Sequence, residues 1–507
     1  MISANNQRIA KNTLMLYFRH ILILLVSLYT VRVVLDALGV EDYGIYNVVG
    51  GIVSLFAFLS SSMASASQRF FSFSLGQNDL EKLKKVFSVN SIIYLGIALI
   101  VFFLLETIGL WFVIQFLKLP PERLDSSIFI YHFSVLTFVV NIIRSPFTAM
   151  ITAHEDMQIY AYVSIVEAMM KLGIAFLLIN LAGDKLEIYG VLLFIVSIIS
   201  SAVFMVISFQ KYKECQFKRF YWDREVFKEI FGFTTWTLFG QISNVFRNQA
   251  ITILINQFFN PVVVAGKAIA TNITSQINVF SNNFNVGLYP PIIKSYAANE
   301  KANMFSLIFN GSKITFFLMW IFALPMFIEM NTILNVWLKN PPPEAVLFTR
   351  LALIELLIHS ISLPLGTAAR APGKMKFYEL TLGSIQILIF IVSWIVLKLG
   401  AEAYSIYIVA IMANLAMFMI RLFIVSNLID LSVKFFLKEV AFPVLGVIIF
   451  SMIPSYGIHY YLPEGIGFSG LSVFTSLVIT TIVMYYIGLD KIWREKIQVF
   501  AFKKIRN

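Results

Sequence analysis

Apolar runs of about 20 residues recur from one end of this 507-residue chain to the other. Each run is long enough to cross a hydrocarbon core of roughly 30 Å as a helix. Charged residues make up only 13% of the chain, against roughly 25% in soluble proteins, and the mean hydropathy is +0.81. The sequence therefore predicts an all-α polytopic membrane protein without a separate soluble domain.

Length and hydropathy predict about fourteen transmembrane helices. Their approximate limits are 12–35, 43–65, 87–109, 126–150, 161–182, 188–209, 230–257, 262–288, 306–328, 347–368, 378–399, 405–427, 439–456 and 468–488.

The charges of the loops predict the orientation. One set of alternate loops holds nearly all the loop lysines and arginines, whereas the other set holds only Lys118, Arg123, Lys185 and Lys339. Positive loops stay on the cytoplasmic side, so both termini are expected to be cytoplasmic. This placement also accounts for the net charge of +11 without a nucleic-acid partner, because basic loops suit an anionic lipid surface.

An internal repeat is indicated by matching residues at a constant offset of 218 positions. Pro146, Tyr160 and Tyr189 align with Pro364, Tyr378 and Tyr407, and "LKLPPE" at 117–122 is echoed by "LKNPPPE" at 338–344. Chance similarity among apolar helices is the alternative. A parallel repeat predicts two six-helix lobes with a substrate site between them. The predicted domains are 1–229, 230–438, and 439–507 with two extra helices and a basic cytoplasmic tail.

Cationic residues inside the predicted spans form the candidate site. An intramembrane charge is costly unless it faces water or a partner. A cationic cavity for an anionic substrate is therefore predicted from seven residues: Arg19, Arg32, Arg144, Lys171, Arg247, Lys267 and Lys313. The alternative is ion pairing between helices, and Lys171 has Glu167 four residues earlier on the same face. Arg247 has no acid within one turn, and an arginine fork suits phosphate.

Two acidic residues lie deep in spans, Glu167 and Glu355. They could carry a coupling proton or neutralise nearby cations. No phosphate-binding loop, dinucleotide fingerprint or nucleophile elbow is present, and the five histidines and Cys215 have no metal-site spacing. The sequence therefore predicts neither an enzyme nor a cofactor or metal site, and transport driven by a proton or sodium gradient is left open.

The segment "TNITSQINVFSNNFN" at 271–285 is polar enough to look like a loop. Its apolar residues Ile273, Ile277, Phe280 and Phe284, followed by Leu288, nevertheless keep a helical spacing. We therefore expect a span with a narrow apolar stripe and a broad polar face toward a wet cavity. Tight packing through small polar residues is the alternative.

Two segments carry a family resemblance. "TVRVVLDALGVEDYGIYNVVGG" (30–51) and "SPFTAMITAHEDMQIYAYVSIVEAMMKLGIAFLL" (145–178) resemble bacterial polysaccharide and O-antigen flippases of the multidrug/oligosaccharidyl-lipid/polysaccharide exporter (MOP) superfamily. The resemblance implies a V-shaped central cavity between the lobes, two extra C-terminal helices, and a place in the bacterial inner membrane. It also implies movement of undecaprenyl-diphosphate-linked oligosaccharide between leaflets, with membrane lipids, a polysaccharide polymerase and chain-length machinery as further partners.

The polar helix takes a more specific role under this resemblance. Neutral donors and acceptors suit sugar hydroxyls, so a sugar-facing wall is expected from Asn272, Ser275, Gln276, Asn278, Asn282 and Asn283. Two alternatives remain: a multidrug or cation antiporter of the same fold, which would want an acidic cavity, and a membrane polysaccharide polymerase, which would want a large loop with catalytic groups.

Overall fold

The structure is a computed structural model that describes residues 2–54, 56–117, 120–216, 221–259, 261–338, 341–489 and Arg494. These residues form helices and connecting segments, with no strand among them. The basic tail predicted after the last span lies outside the described residues, apart from Arg494. The first eight helices are α1 (Ile2–Ser54), α2 (Ala57–Gly76), α3 (Leu80–Leu104), α4 (Leu110–Phe116), α5 (Leu124–Ala153), α6 (Met157–Asn180), α7 (Lys185–Lys211) and α8 (Arg224–Phe258).

The remaining helices are α9 (Pro261–Ala297), α10 (Lys301–Trp337), α11 (Ala345–Ile361), α12 (Leu363–Arg370), α13 (Lys376–Lys398), α14 (Ser405–Ile429), α15 (Val433–Phe436), α16 (Phe442–Tyr461) and α17 (Ile466–Val483). π-helical turns join α3 to α4 and α15 to α16, and another follows α17.

Eleven helical segments of the described residues are long and apolar enough to cross a membrane. A twelfth is added if Glu41–Val53 and Phe58–Gly76, which are bent by 42°, form one span. The other two predicted spans fall on α8 and α9, which have 35 and 37 residues but are not among those eleven. The all-α multi-pass membrane fold is thus confirmed, and the count of fourteen stays a prediction.

The chain divides into two compact units. The first comprises Met1–Gln241 and Ile293–Glu300, and the second comprises Ile242–Ile292 and Lys301–Asn507. The predicted lobe limits, 1–229, 230–438 and 439–507, and the V-shaped cavity between lobes stay predictions.

In the first unit, α5 packs on α2, α3 and α7, while α1 packs on α6. Tyr131 of α5 is fully buried and donates a hydrogen bond to the Leu105 carbonyl in the π-helical turn, at 2.6 Å. A Cβ at Gly109 would lie 2.2 Å from this hydroxyl oxygen. Glycine at this position therefore allows the close approach of α5 to the turn.

A cluster of charges fixes one end of the first unit. Arg123, just before α5, contacts the carboxylates of Asp42 at 2.7 Å and Asp184 at 2.5 Å. Asp184 also caps α7 by accepting from the backbone amides of Leu186 and Glu187. The hydrogen bond from Arg123 holds the pKa of the Asp184 carboxyl at about 2.

At the opposite end of the same unit, Glu155 links residues of α1 and α9. Its side chain is 3% exposed. Its carboxylate pairs with Arg8 of α1 at 2.6 Å and with Lys294 near the end of α9 at 2.7 Å. Asn12 donates to its carbonyl. The residue has a φ of 65°, as the tight turn between α5 and α6 requires.

In the second unit, α10 packs on α11, α12, α16 and α17, while α14 packs on α11, α12 and α13. α11 and α12 are two parts of one predicted span, broken at Ser362 just before Pro364. Proline removes a backbone donor, so the break leaves polar groups to be satisfied. Thr315 of α10 supplies a partner by donating to the Ser360 carbonyl at 2.9 Å, which is the carbonyl that Pro364 leaves without its helical donor.

Candidate functional site

A cavity of about 310 Å³ lies within the second unit, among α8, α9, α11, α13 and α14. Five predicted site residues line it, namely Arg247, Lys267, Ser275, Asn278 and Glu355. They come from three different helices and from two separate sequence arguments, the intramembrane charges and the polar helix. This cavity is therefore one place where predicted site residues converge.

Arg247 of α8 is held by a carboxylate from another helix. Its Nη1 donates to Glu355 Oε1 at 2.8 Å, and its Nη2 donates to Asn248 at 3.2 Å. Glu355 accepts a second hydrogen bond from Asn414 Nδ2 at 3.1 Å. The side chains of Arg247 and Glu355 are 13% and 20% exposed. The charge of this arginine is therefore balanced inside the unit.

Lys267 of α9 has a different environment. Its ammonium donates to the Asn248 carbonyl at 3.2 Å and to the Thr252 hydroxyl. Among the described residues, no carboxylate lies within ion-pair distance of it. Arg247 and Lys267 share the cavity with one carboxylate, Glu355, so its lysine and arginine side chains outnumber its carboxylates by one. Lys267 is the cation that remains available to an anion.

The polar helix α9 faces more than one environment. Its apolar residues Ile273, Ile277, Phe284 and Leu288 are buried, with Phe280 partly so, and they pack the helix inside its unit. Thr271, Thr274, Ser275 and Asn278 line the cavity.

The other residues of the predicted sugar-facing wall do not line this cavity. Asn272, Gln276 and Asn282 are exposed elsewhere on the helix. Asn283 is only 8% exposed, on the buried side. The structure thus brings together two of the six residues predicted for this wall, Ser275 and Asn278.

A second charge cluster lies in the first unit. Glu167 of α6 accepts from Arg144 of α5 at 2.9 Å and from Lys171 at 2.8 Å. Ser200 of α7 donates to the same carboxylate at 2.6 Å. The pairing alternative raised for Lys171 is the arrangement that the structure has, and it includes Arg144 as well.

The remaining predicted cations have other surroundings. The Arg19 guanidinium lies over the Tyr160 ring, 4.7 Å from its centroid, and Arg32 is exposed. Lys313 is only 2% exposed and lines a separate cavity of about 390 Å³ with Asp430 and Glu439. The seven cations are thus distributed over several places.

The further polar residues of the Arg247 cavity that were missed from the sequence include Asn244, Asn248, His359, Gln386 and Asn414. His359 follows Glu355 by four residues, so helical periodicity places both on one face of α11 and could have identified it. Asn414 and Gln386 lie in largely apolar helices, and neither has a charged residue three or four positions away. No group of three or more metal-ligating side chains occurs within the ranges that the structure describes.

A comparison of the sequence with known protein families establishes the family of this chain. The sequence profile of the family described as "Polysaccharide biosynthesis protein" matches residues 9–296, more than half of the chain. The chain belongs to the polysaccharide biosynthesis protein family. The family resemblance predicted from the sequence is confirmed. No curated protein matches the sequence of this family member.

Solved structures share the fold of this polysaccharide biosynthesis family member. An outward-facing multidrug resistance MATE transporter of the MOP superfamily has a TM-score of 0.73 at 11% identity, covering 84% of this chain and 96% of its own. A MATE structure in the bent conformation has a TM-score of 0.73 at 13% identity, with the same coverage of 84% and 96%.

A third similar structure is a MOP superfamily transporter from Pyrococcus furiosus, described as having a binding pocket of reversed polarity that suggests a different function. Its TM-score is 0.65 at 13% identity, covering 84% of this chain and 97% of its own. At these identities the similarity establishes the fold. The family member is therefore a multi-pass membrane protein with a transporter fold.

Proposed function

We propose that this transporter is a flippase for undecaprenyl-diphosphate-linked oligosaccharide repeat units. It moves them from the cytoplasmic to the periplasmic leaflet of the bacterial inner membrane, for the synthesis of a surface polysaccharide. The family supports a role in polysaccharide biosynthesis, and the fold supports transport. Both termini lie in the cytoplasm in this proposal, as the loop charges favour.

The observation that carries the proposal is the excess positive charge of the Arg247 cavity beside neutral polar groups. Lys267 has no carboxylate at ion-pair distance within the described residues, and Thr271, Ser275 and Asn278 lie on the same cavity wall. A phosphate group is attracted by such a cation at close range, while hydroxyls and amides suit a sugar. The two chemistries match the two ends of a glycosyl diphosphate.

A multidrug or cation antiporter of the same fold is the competing function. A cationic substrate would favour a cavity with excess acid, whereas this cavity has two cations and one carboxylate. A polysaccharide polymerase is less favoured still, because the described connections between helices are short.

Energy coupling through a proton or sodium gradient belongs to the same proposal. Glu355 is the candidate in the cavity, since protonation of its carboxyl would release Arg247 to bind an anion. Glu167 could act on Arg144 and Lys171 in the same way. Membrane lipids, a polysaccharide polymerase and chain-length machinery are the proposed partners.

A deletion strain tests the proposal. Loss of a flippase should leave lipid-linked repeat units on the cytoplasmic side and lower the surface polysaccharide. Complementation with Lys267→Met should fail at normal expression, because the cavity loses its available cation. Lys398→Met is the matched control, since Lys398 is exposed near the end of α13 in the same unit.

Two outcomes would overturn the proposal. Unchanged surface polysaccharide in the deletion strain with raised drug sensitivity would favour the antiporter. Full complementation by Lys267→Met would show that the cavity does not bind the substrate.

A further inference from the structure

Three side chains of the Arg247 cavity have buried polar atoms without a hydrogen-bond partner in the described parts of the chain. They are the donor Nε of Arg247 and the amide oxygens of Asn278 and Gln386. A buried polar atom without a partner costs about 1–3 kcal/mol, and folded proteins pair nearly all of them. A ligand in this cavity could supply partners to all three atoms at once.

The Gln386 and Asn278 amides are incompletely paired. The Gln386 amide nitrogen has only the Met417 sulfur, at 3.5 Å, as its contact, and a thioether is a weak acceptor. The Gln386 amide oxygen has no hydrogen-bond partner within the described residues. Asn278 has one buried amide oxygen in the same condition.

The charges around these amides restrict the ligand. Arg247 and Lys267 line the same cavity, so a metal cation or an ammonium group at the amide oxygens would be repelled. A neutral hydroxyl or amide N–H can donate to them without this cost. The ligand must therefore place neutral donors close to an anionic group.

A glycosyl phosphate combines these features in one small group. Its phosphate is anionic, and the attached sugar carries several hydroxyls within a few ångströms of it. The cavity, at about 310 Å³, lies at the small end of the range for ligand pockets, which is roughly 300–1,000 Å³. This size suits one sugar with its phosphate rather than a whole repeat unit.

We propose that this cavity binds the glycosyl phosphate end of the lipid-linked substrate and that Asn278 and Gln386 recognise the sugar next to the phosphate. Lys267 and Arg247 bind the phosphate, and the two amides accept hydrogen bonds from the sugar. The inference rests on the proposed flippase function. It adds that the transporter discriminates a glycosylated diphosphate lipid from the bare diphosphate.

Binding to the purified full chain in lipid nanodiscs tests this inference. The probes are farnesyl diphosphate and its glucosyl and N-acetylglucosaminyl derivatives. The native protein should bind at least one glycosylated probe about tenfold more tightly than bare farnesyl diphosphate. Asn278→Leu and Gln386→Met should each reduce that preference about fivefold, as expected for a lost hydrogen bond to a neutral group. The affinity for bare farnesyl diphosphate should stay unchanged.

Matched controls come from exposed amides of the same unit. Asn427→Leu in α14 and Gln257→Met in α8 make the same chemical changes away from the cavity. Both should keep the sugar preference of the native protein. A thermal unfolding midpoint within about 2 °C of the native value identifies the folded variants, which are the ones compared.

The outcomes separate this inference from the proposed function. Equal affinity for bare and glycosylated probes in the native protein would overturn the inference and leave a diphosphate-lipid flippase standing. An unchanged preference in both amide variants would also overturn it. Loss of affinity for bare farnesyl diphosphate in a folded amide variant would assign that amide to the phosphate instead. Failure of the native protein to bind any of the three probes would overturn both proposals.

Discussion

At the residue scale, each deep carboxylate of the two candidate clusters is paired with an arginine from another helix. Glu167 binds Arg144, and Glu355 binds Arg247. Helical spacing predicted the pair of Glu167 with Lys171, because these residues are four positions apart. Arg247 and Glu355 are 108 positions apart, so no local pattern could reveal their contact.

Replacement of Arg247 tests whether it serves only the ion pair. Arg247→Ala leaves Glu355 without its cation and should destabilise the fold by about 3 kcal/mol, as loss of one partner of a buried pair does. Arg247→Ala with Glu355→Gln should recover most of this stability, because no unpaired charge remains. Thermal unfolding of the three purified proteins measures both effects.

Activity then separates the two roles of Arg247. If it binds substrate phosphate, the stable double variant should still fail to restore surface polysaccharide. Full complementation by the double variant would show that the arginine matters only as the partner of Glu355.

The stability contributed by Asp184 should depend on pH. Its pKa is lowered from 3.8 to about 2 in the folded state. The stabilisation is therefore complete above about pH 4 and is lost as the pH falls toward 2. The difference in unfolding midpoint between the native protein and Asp184→Asn should shrink over this interval.

Glu122→Gln provides the comparison for Asp184. Glu122 is exposed just before α5, near Arg123 in the sequence. Its replacement should have little effect at any pH between 7 and 3. A difference for Asp184→Asn that stays constant as the pH falls would contradict the pairing with Arg123.

At the scale of single elements, the sequence predicted where the helices lie better than which way their faces point. The apolar spacing of residues 271–285 correctly indicated a helix, now part of α9. It did not show that the polar face is divided between a cavity, exposed surface and the buried side chain of Asn283. A helical pattern distinguishes polar from apolar faces, but it does not identify the neighbour of each face.

The repeated residues illustrate the same limit. The aligned residues Tyr160 and Tyr378 each lie beneath an arginine guanidinium, at 4.7 Å and 5.9 Å from the ring centroid. Their partners, Arg19 of α1 and Arg421 of α14, are not aligned with each other. The constant offset in the sequence aligns the two tyrosines. It does not predict which arginine lies over each ring, because that depends on packing in three dimensions.

Gly39 should be essential for the bend in α1. Its φ of 80° and ψ of 170° interrupt the helix, in a region that is nearly restricted to glycine. Gly39→Ala should cost about 1–3 kcal/mol through the backbone alone, because an added Cβ would meet nothing within 4 Å. The unfolding midpoint and complementation of the deletion strain measure the effect.

Gly44→Ala is the matched control in the same helix. A Cβ at Gly44 also meets nothing within 4 Å, and its φ is not positive. Alanine favours a helix, so this change should be neutral or slightly stabilising. Equal behaviour of the two variants would show that the bend at Gly39 does not contribute to stability.

At the scale of the whole molecule, composition and hydropathy were sufficient for the membrane class and the helical fold. Recurring apolar runs predict membrane crossings directly, because each crossing needs a minimum number of apolar residues. The location of the cavity depended on contacts among five helices. Such contacts are not encoded in any single stretch of sequence.

Cysteine accessibility tests the proposed orientation. The single native cysteine, Cys215, is buried, so Cys215→Ser provides the background. Glu402→Cys, after α13, should react with a membrane-impermeant maleimide added to spheroplasts. Lys374→Cys, before α13, should react only after permeabilisation, because the loop charges predict a cytoplasmic position for it. The reverse pattern would invert the topology.

The ion pair between Arg247 and Glu355 has a consequence for turnover. A carrier must release its cargo as readily as it captures it. The Arg247 guanidinium already binds a carboxylate at 2.8 Å. An anion that binds there must therefore replace or share this carboxylate, and the arginine gains no additional ion pair. In the proposed flippase, the resident carboxylate would limit how long the cargo stays, and it would restore the arginine to its resting contact once the cargo has left.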